Sequence, residues 1–149
     1  MLAWLYHQRR NHVSEKHYAH YLTTSQYFKL DVACIPLWRA FGPAGGVYLV
    51  GSVLRKPDWR DVDIRVILDD AEFDRLFPKT DRFGENAQWK IICIAISHYL
   101  SSVTGLPIDF QIQRQTQANE RYPTAEDHRR NAIGLFVHEY DGIQGADRV

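Results

Sequence analysis

Two segments of the chain alternate between apolar and polar residues, with Ile67 as the exception, which is the pattern of a β-strand with one buried face. Between residues 62 and 68 the even-numbered positions are all apolar, and Asp63 lies on the opposite face. The even-numbered positions of 108–113 are also apolar, and Asp109 lies on the other face of that segment. A short β-prone run at 47–50 precedes both. We therefore predict three strands, two of which carry an aspartate opposite their apolar face.

Helical patterns surround these strands. Apolar residues recur at steps of three and four over 84–104, and further apolar residues widen the stripe, so we expect a helix buried on most sides. A helix over 25–41 is expected to be interrupted or restarted at Pro36, because proline is tolerated only near a helix start. A short helix follows at 70–77, and the polar C-terminal part adds short helices and an edge strand over 134–138. This order predicts an α/β (α+β) fold, a small mixed sheet backed by helices with one open face.

The length and composition suit one domain spanning residues 1–149, with 45% hydrophobic residues to form its core. Its N-terminal helices, within 1–44, are expected to pack on the region 47–113. The formal net charge is zero, which gives no support for binding long nucleic acid through bulk electrostatics. No run approaches the roughly 20 apolar residues of a membrane span. Because Cys34 and Cys93 sit in apolar runs, we expect buried reduced thiols and a cytoplasmic location.

The aspartates of the two alternating segments suggest a metal site. Asp61 and Asp63 are two residues apart, so their side chains are expected to point the same way, about 7 Å apart along the strand. Like charges this close repel each other unless a cation lies between them. Mg²⁺ binds one or two carboxylates together with phosphate oxygens of a substrate. Asp109 completes the cluster if its strand lies beside that of Asp63, so the three acids predict a site for Mg²⁺ or Mn²⁺.

A glycine-serine pair ends the first predicted strand. Gly51 lets the backbone approach a phosphate closely, and Ser52 adds a hydroxyl and backbone N–H groups for an anion. A triphosphate bound there would lie against a metal held by Asp61 and Asp63. The metal would neutralise phosphate charge and orient an in-line attack, and a third carboxylate near the acceptor can take its proton.

These parts resemble the nucleotidyltransferase superfamily typified by DNA polymerase beta and the minimal nucleotidyltransferases. The family's signature is a hydrophobic strand ending in Gly-Ser or Gly-Gly, a spacer of about ten residues, and an acid-hydrophobic-acid-hydrophobic strand. It stands here as Tyr-Leu-Val-Gly-Ser at 48–52, a spacer of eight residues, and Asp-Val-Asp-Ile at 61–64. The family's third acid, on a later strand after a helix, matches Asp109. The resemblance covers 47–113 and implies metal-dependent transfer of a nucleoside monophosphate from a triphosphate, such as ATP, to an acceptor hydroxyl, with release of pyrophosphate.

The resemblance also suggests roles for nearby cations. Where the family commonly carries Arg-Gly after the serine, this chain has Leu54, Arg55 and Lys56, and the last two are expected to clamp phosphate. Arg65 shares the face of the acids, where it either contacts phosphate or neutralises Asp63. The acceptor stays open among a small molecule, a protein hydroxyl and an RNA end.

Other functions fit parts of the same pattern. An exposed strand face with Arg65 as the ion-pair partner would also place Asp-x-Asp on a strand. Glycosyltransferases use Asp-x-Asp but are usually longer and do not need the Gly-Ser turn. Phosphatases with an Asp-x-Asp nucleophile want Thr or Val where this chain has Arg65. The remaining alternative is a catalytically inactive module of the nucleotidyltransferase fold that binds or regulates a partner protein, for example a toxin.

Overall fold

The computed structural model describes residues 19–79, 86–123 and 129–135. The predicted helices within residues 1–18 and positions 136–138 of the edge strand predicted over 134–138 therefore lie outside the described residues. The described part of that prediction, Gly134 and Leu135, is wrong, because neither residue is in a strand. In the described ranges, no helix is both long enough and apolar enough to cross a membrane.

The described residues form four α-helices and one four-stranded sheet, joined in places by short 3₁₀ turns. The helices are α1 (Thr24–Phe41), α2 (Asp70–Leu76), α3 (Ala87–Thr104) and α4 (Gln115–Arg121). The strands are β1 (Gly45–Val50), β2 (Val62–Leu68), β3 (Ile108–Arg114) and β4 (Asn131–Ala132).

The sheet is mixed and has the strand order β3-β2-β1-β4. β1 runs antiparallel to β2 and to the short edge strand β4. β2 and β3 are parallel neighbours, and α3 forms the crossover between them, as parallel pairing requires. The predicted small mixed sheet backed by helices is therefore confirmed.

One face of the sheet forms the hydrophobic core against α1 and α3. Leu49, Ile64 and Phe110 stand in register across β1, β2 and β3, and each is at most 1% exposed. From the helices, Leu30 of α1 and Leu100 of α3 are fully buried in the same cluster. At about 25 cal/mol per Å² of buried apolar area, this face supplies most of the driving force for folding.

The opposite face of the sheet differs in solvent exposure from one end of β2 to the other. At one end, Asp63 and Asp109 lie side by side and are only half-buried. Toward the other end of β2, Arg65 and Ile67 are 4% and 3% exposed. The expectation of an open face is therefore wrong for that end, which is covered where α4 and Tyr122 fold back against β2 and β3. The acid end stays partly accessible through Asp63 and Asp109.

The expectation that α3 is buried on most sides is also wrong. Its Cys93 and Leu100 are buried, but Ile91 and Ile94 on another side are 61% and 60% exposed. The sheet and α1 cover only one side of this helix, so the further apolar residues that widened the predicted stripe remain at the surface.

α1 is one continuous helix through Pro36, contrary to the expected interruption. It starts in a capping box, in which the side chains of Thr23 and Gln26 bond each other's backbone N–H groups. Buried residues on both sides of the proline, Cys34 and Leu37 among them, attach the helix to the core. Packing thus outweighs the backbone hydrogen bond that proline removes, which costs about 3 kcal/mol in an exposed helix.

Candidate metal and nucleotide site

The turn after β1 packs directly against an acid of β2. Gly51 has φ +83° and ψ −157°, a backbone conformation that is essentially restricted to glycine. A Cβ atom at this position would collide with the carboxylate of Asp63. Glycine is therefore needed here for its conformation and for the close approach of the turn to the acid.

Ser52 begins a single 3₁₀ turn that ends at Leu54. Its carbonyl oxygen accepts hydrogen bonds from the backbone N–H groups of Arg55 and Lys56, at 2.9 and 3.0 Å. The side chains of Arg55 and Lys56 are exposed, and Lys56 Nζ lies 3.8 Å from a carboxylate oxygen of Asp58. The two expected phosphate clamps are therefore in the loop that follows the turn, at the surface.

The structure brings the three predicted acids to one end of the sheet. Asp63 and Asp109 are direct partners in the register of the parallel strands β2 and β3, which places them about 4.8 Å apart across the sheet. Asp61 is half-buried in the bend just before β2, and its charge acts on Asp63. Asp109 is the more accessible of the paired acids, with 44% of its side chain exposed against 18% for Asp63.

Arg65 forms a bridge between the paired acids. One terminal nitrogen, Nη2, donates to Asp63 Oδ1 at 2.9 Å and to Asp109 Oδ2 at 2.8 Å. The other, Nη1, donates to the backbone carbonyl oxygens of Ile64 and Asp109 at 3.0 and 2.7 Å. The guanidinium therefore pairs with Asp63, as one of the two predicted roles requires, offsets part of the charge of both acids, and also ties β2 to β3. Its Nε is buried and has no hydrogen-bond partner within the part of the chain that the structure describes.

The surroundings shift the proton affinities of this cluster. The pKa of Asp63 is raised from 3.8 to about 6, chiefly by burial, and Arg65 opposes that rise. A hydrogen bond with Asp109 and the charges of Asp61 and Asp109 favour the protonated form of Asp63 further. Burial alone would lower the pKa of Arg65, but Tyr122 and the two acids outweigh it and raise that pKa. Perturbed values of this kind cluster at functional sites, and they also occur in structural ion-pair networks.

The donor set suits a divalent cation only in part. Across residues 19–79, 86–123 and 129–135, no three His, Cys, Asp or Glu side chains are arranged to hold a metal ion. Arg65 engages one oxygen of Asp63 and one of Asp109, which leaves each acid a second oxygen. Two carboxylates and a substrate phosphate are the set that Mg²⁺ uses in nucleotide sites. The paired acids fit that requirement if phosphate completes the coordination.

A groove of about 750 Å³ opens beside Asp109. It runs between α3 and β3, and polar residues such as Ser101, His98 and Lys90 line it together with the edge of the sheet. Of the two paired acids, only Asp109 lines this groove, so any molecule that occupies it lies next to the more accessible carboxylate.

Tyr122 belongs to this cluster, although the sequence offered no sign of it. The residue follows α4 directly, is 8% exposed and lies close enough to Arg65 to raise the pKa of the guanidinium. Its only local signal is an aromatic residue after a short polar helix, which is too common to indicate a site.

Compared with protein-family models, with curated proteins and with solved structures, the chain matches none. Support for a function therefore comes from the geometry of the acids, the glycine-serine turn and Arg65.

Proposed function

We propose that the protein is a metal-dependent nucleotidyltransferase, which moves a nucleoside monophosphate from a triphosphate to an acceptor hydroxyl and releases pyrophosphate. One observation carries the proposal. Asp63 and Asp109 are register partners on adjacent strands, and the Gly51 turn packs against Asp63. An anion bound at the turn would therefore lie beside two carboxylates, which is favourable only if a cation joins them.

The residues of this chain would divide the work as follows. Asp61 and Asp63 would hold Mg²⁺ or Mn²⁺, Asp109 would be a further ligand or the general base, and the Gly51-Ser52 turn would receive the triphosphate. The bound cation would neutralise phosphate charge and orient the attack on the α-phosphorus. The acceptor oxygen would form the new bond to phosphorus and the bond to pyrophosphate would break, and in the role of general base Asp109 would take the acceptor proton.

The accessibility of Asp109 supports its part in this division. With 44% of its side chain exposed, Asp109 can meet an acceptor hydroxyl, whereas Asp63 is more enclosed. The groove that opens beside Asp109 offers room for that acceptor. A small molecule, a protein hydroxyl and an RNA end remain its candidate classes, and a cytoplasmic enzyme would meet all three.

The test measures binding of ATP, GTP, CTP and UTP by calorimetry with Mg²⁺ or Mn²⁺, followed by pyrophosphate release. We expect the double variant Asp61→Asn plus Asp63→Asn to lose the metal-dependent binding. Asp69→Asn is the matched control, since Asp69 is an exposed acid just after the same strand. Triphosphate binding that the double variant retains in full would end the proposal.

A second candidate is favoured by Arg65. Because its guanidinium already bridges Asp63 and Asp109, it can stand where a metal would otherwise balance their charge. The protein would then be a binding or regulatory module of this fold that acts on a partner protein without catalysis. Triphosphate binding that persists in EDTA, or no binding of any triphosphate, would favour the module. Pyrophosphate release that stops in EDTA would favour the enzyme.

A further inference from the structure

The backbone on each side of Asp109 is held by hydroxyl groups of α3. Ser101 Oγ accepts a hydrogen bond from the backbone N–H of Ile108 at 3.2 Å. Ser97 Oγ accepts one from the backbone N–H of Phe110 at 3.0 Å. Both N–H groups lie on the outer edge of β3, which has no neighbouring strand among the described residues. The two serines thus replace the partners that another strand would supply.

The same contacts continue along β3. Trp89 Nε1 donates to the backbone carbonyl oxygen of Ile112 at 2.8 Å. A hydrogen bond from the backbone of Ile112 reaches the buried thiol of Cys93 and opposes the burial that raises the pKa of Cys93. Four groups of one helix therefore bond to the outer edge of a single strand.

The arrangement follows from the geometry of the two elements. The four contacting residues of α3 are spaced every fourth position, which corresponds to a rise of about 6 Å per step. The bonded residues of β3 are spaced every second position, which corresponds to about 6.6 Å per step. Because these repeats nearly match, one side of the helix can bond to the strand edge over its whole length. An edge bonded in this way no longer offers free N–H groups to a strand of another molecule.

We propose that Ser97 and Ser101 are positioning residues for Asp109: their hydroxyls fix the β3 backbone on both sides of it, and so hold its carboxylate beside Asp63. The inference rests on the proposed function only where Asp109 serves as the third acid. The alternative is that the two serines only bond the free N–H groups at the outer edge of β3 and have no effect on the position of the Asp109 carboxylate.

Two measurements on the double variant Ser97→Ala plus Ser101→Ala test the position of Asp109, and neither requires catalysis. NMR follows the guanidinium resonances of Arg65, which report the ion pair between Arg65 and Asp109. Titration with Mn²⁺ gives the dissociation constant for metal. We expect exchange of the Ile108 and Phe110 amide protons to rise by roughly tenfold. We also expect the Arg65 guanidinium to rotate faster, so that its separate N–H resonances merge. The affinity for Mn²⁺ should fall several-fold.

Three controls separate positioning from general destabilisation. The double variant Ser97→Thr plus Ser101→Thr keeps both hydroxyls and should restore the wild-type behaviour. Ser102→Ala removes an exposed hydroxyl of the same helix and should change nothing. Asn86→Ala removes the N-cap of α3, so it should lower the melting temperature without altering the Arg65 resonances.

The outcomes are distinguishable. If the alanine variant exposes the two amide protons but leaves the Arg65 resonances unchanged, the serines only seal the edge and the proposal is wrong. If the wild-type protein binds no Mn²⁺, the proposed function fails. In that case the Arg65 resonances alone decide whether the serines position Asp109.

Discussion

The two faces of the sheet are built from alternate residues of the same strands, yet they differ in nearly every physical respect. On the face covered by α1 and α3, Leu49, Ile64 and Phe110 form a row in which each is at most 1% exposed. On the other face, Asp63 and Asp109 form a row of two acids that repel each other. The first row stabilises the fold by apolar burial, whereas the second brings like charges together and depends on Arg65 to offset their repulsion.

The comparison shows how a stable face can support an unfavourable one. Side chains alternate along a strand, so a shift of one residue would exchange the two faces. The register that buries Phe110 against Ile64 is therefore the same register that sets Asp109 beside Asp63. The apolar face therefore decides which acids meet, and Arg65 then bridges their carboxylates.

The largest expected effect comes from the apolar face. Phe110→Ala should lower the free energy of unfolding by about 3–5 kcal/mol, because it leaves a cavity at a residue that is 1% exposed. Asp61→Asn, at the acid end, should change that free energy by less than about 0.5 kcal/mol. Urea unfolding of both variants measures the difference. Equal losses of stability in the two variants would contradict the division between the faces.

The strands show which features a sequence can predict. The bounds of β2 agree with the prediction at both ends, and β3 extends one residue further, to Arg114. Alternation depends only on the residues of the strand itself, so it predicts these strands whatever their neighbours in the sheet are. The burial of Arg65 depends instead on α4 and Tyr122, which return to β2 from distant sequence. No pattern in the sequence near β2 predicts that α4 and Tyr122 will pack against it.

The same distinction holds for the site and for the long helices. Asp61, Asp63 and Asp109 were predictable as candidates, but their meeting depends on the order β3-β2-β1, which the sequence does not state. For α3, periodicity predicted a helix but not which of its apolar sides would face the sheet. Ile91 and Ile94 therefore lie at the surface against expectation.

The next largest effect on stability is expected to differ between alanine substitutions at two glycines. Gly51→Ala should destabilise the fold by about 1–3 kcal/mol through its backbone conformation alone. The collision of the new Cβ with the Asp63 carboxylate adds to that cost and displaces the acid. Gly105 at the end of α3 also has positive φ, at +72°, but a Cβ there would have no atom of the described residues within 4 Å. Gly105→Ala should therefore cost only about 1–2 kcal/mol.

Binding measurements extend this glycine comparison. We expect Gly51→Ala to weaken Mn²⁺ binding strongly, because it moves Asp63, and Gly105→Ala to leave the dissociation constant unchanged. The two variants together measure how closely the turn and the acid depend on each other. Unchanged metal binding in a folded Gly51→Ala protein would show that the turn does not position Asp63.

A smaller effect concerns the pH dependence of stability. The pKa of Asp63 is raised from 3.8 to about 6, so between these values the folded protein binds more protons at this group than the unfolded chain does. The contribution of Asp63 to stability is therefore full below about pH 4 and is lost as the pH rises through about 6. The lowered pKa values of Asp70 and Glu72 act in the opposite direction.

The difference between variants isolates the Asp63 contribution. Urea unfolding across this pH range should show that wild type loses stability relative to Asp63→Asn as the pH rises. Asp69→Asn, which changes an exposed acid after the same strand, should follow wild type. Parallel pH profiles for wild type and Asp63→Asn would mean that Asp63 titrates normally and that the acid end is not strained.

The smallest effect on stability is expected in the loop after the Gly51 turn. Arg55 and Lys56 are exposed, so Arg55→Ala and Lys56→Ala should each change the free energy of unfolding by less than about 0.5 kcal/mol. If they clamp phosphate, each should nevertheless weaken triphosphate binding several-fold, and more so at low ionic strength. Lys29→Ala removes an exposed positive charge from α1, which packs on the apolar face. Because α1 packs on the face of the sheet opposite the acids, that variant should bind triphosphate like wild type. A loss shared by all three variants would indicate a general effect of net charge and would assign no clamp to the loop.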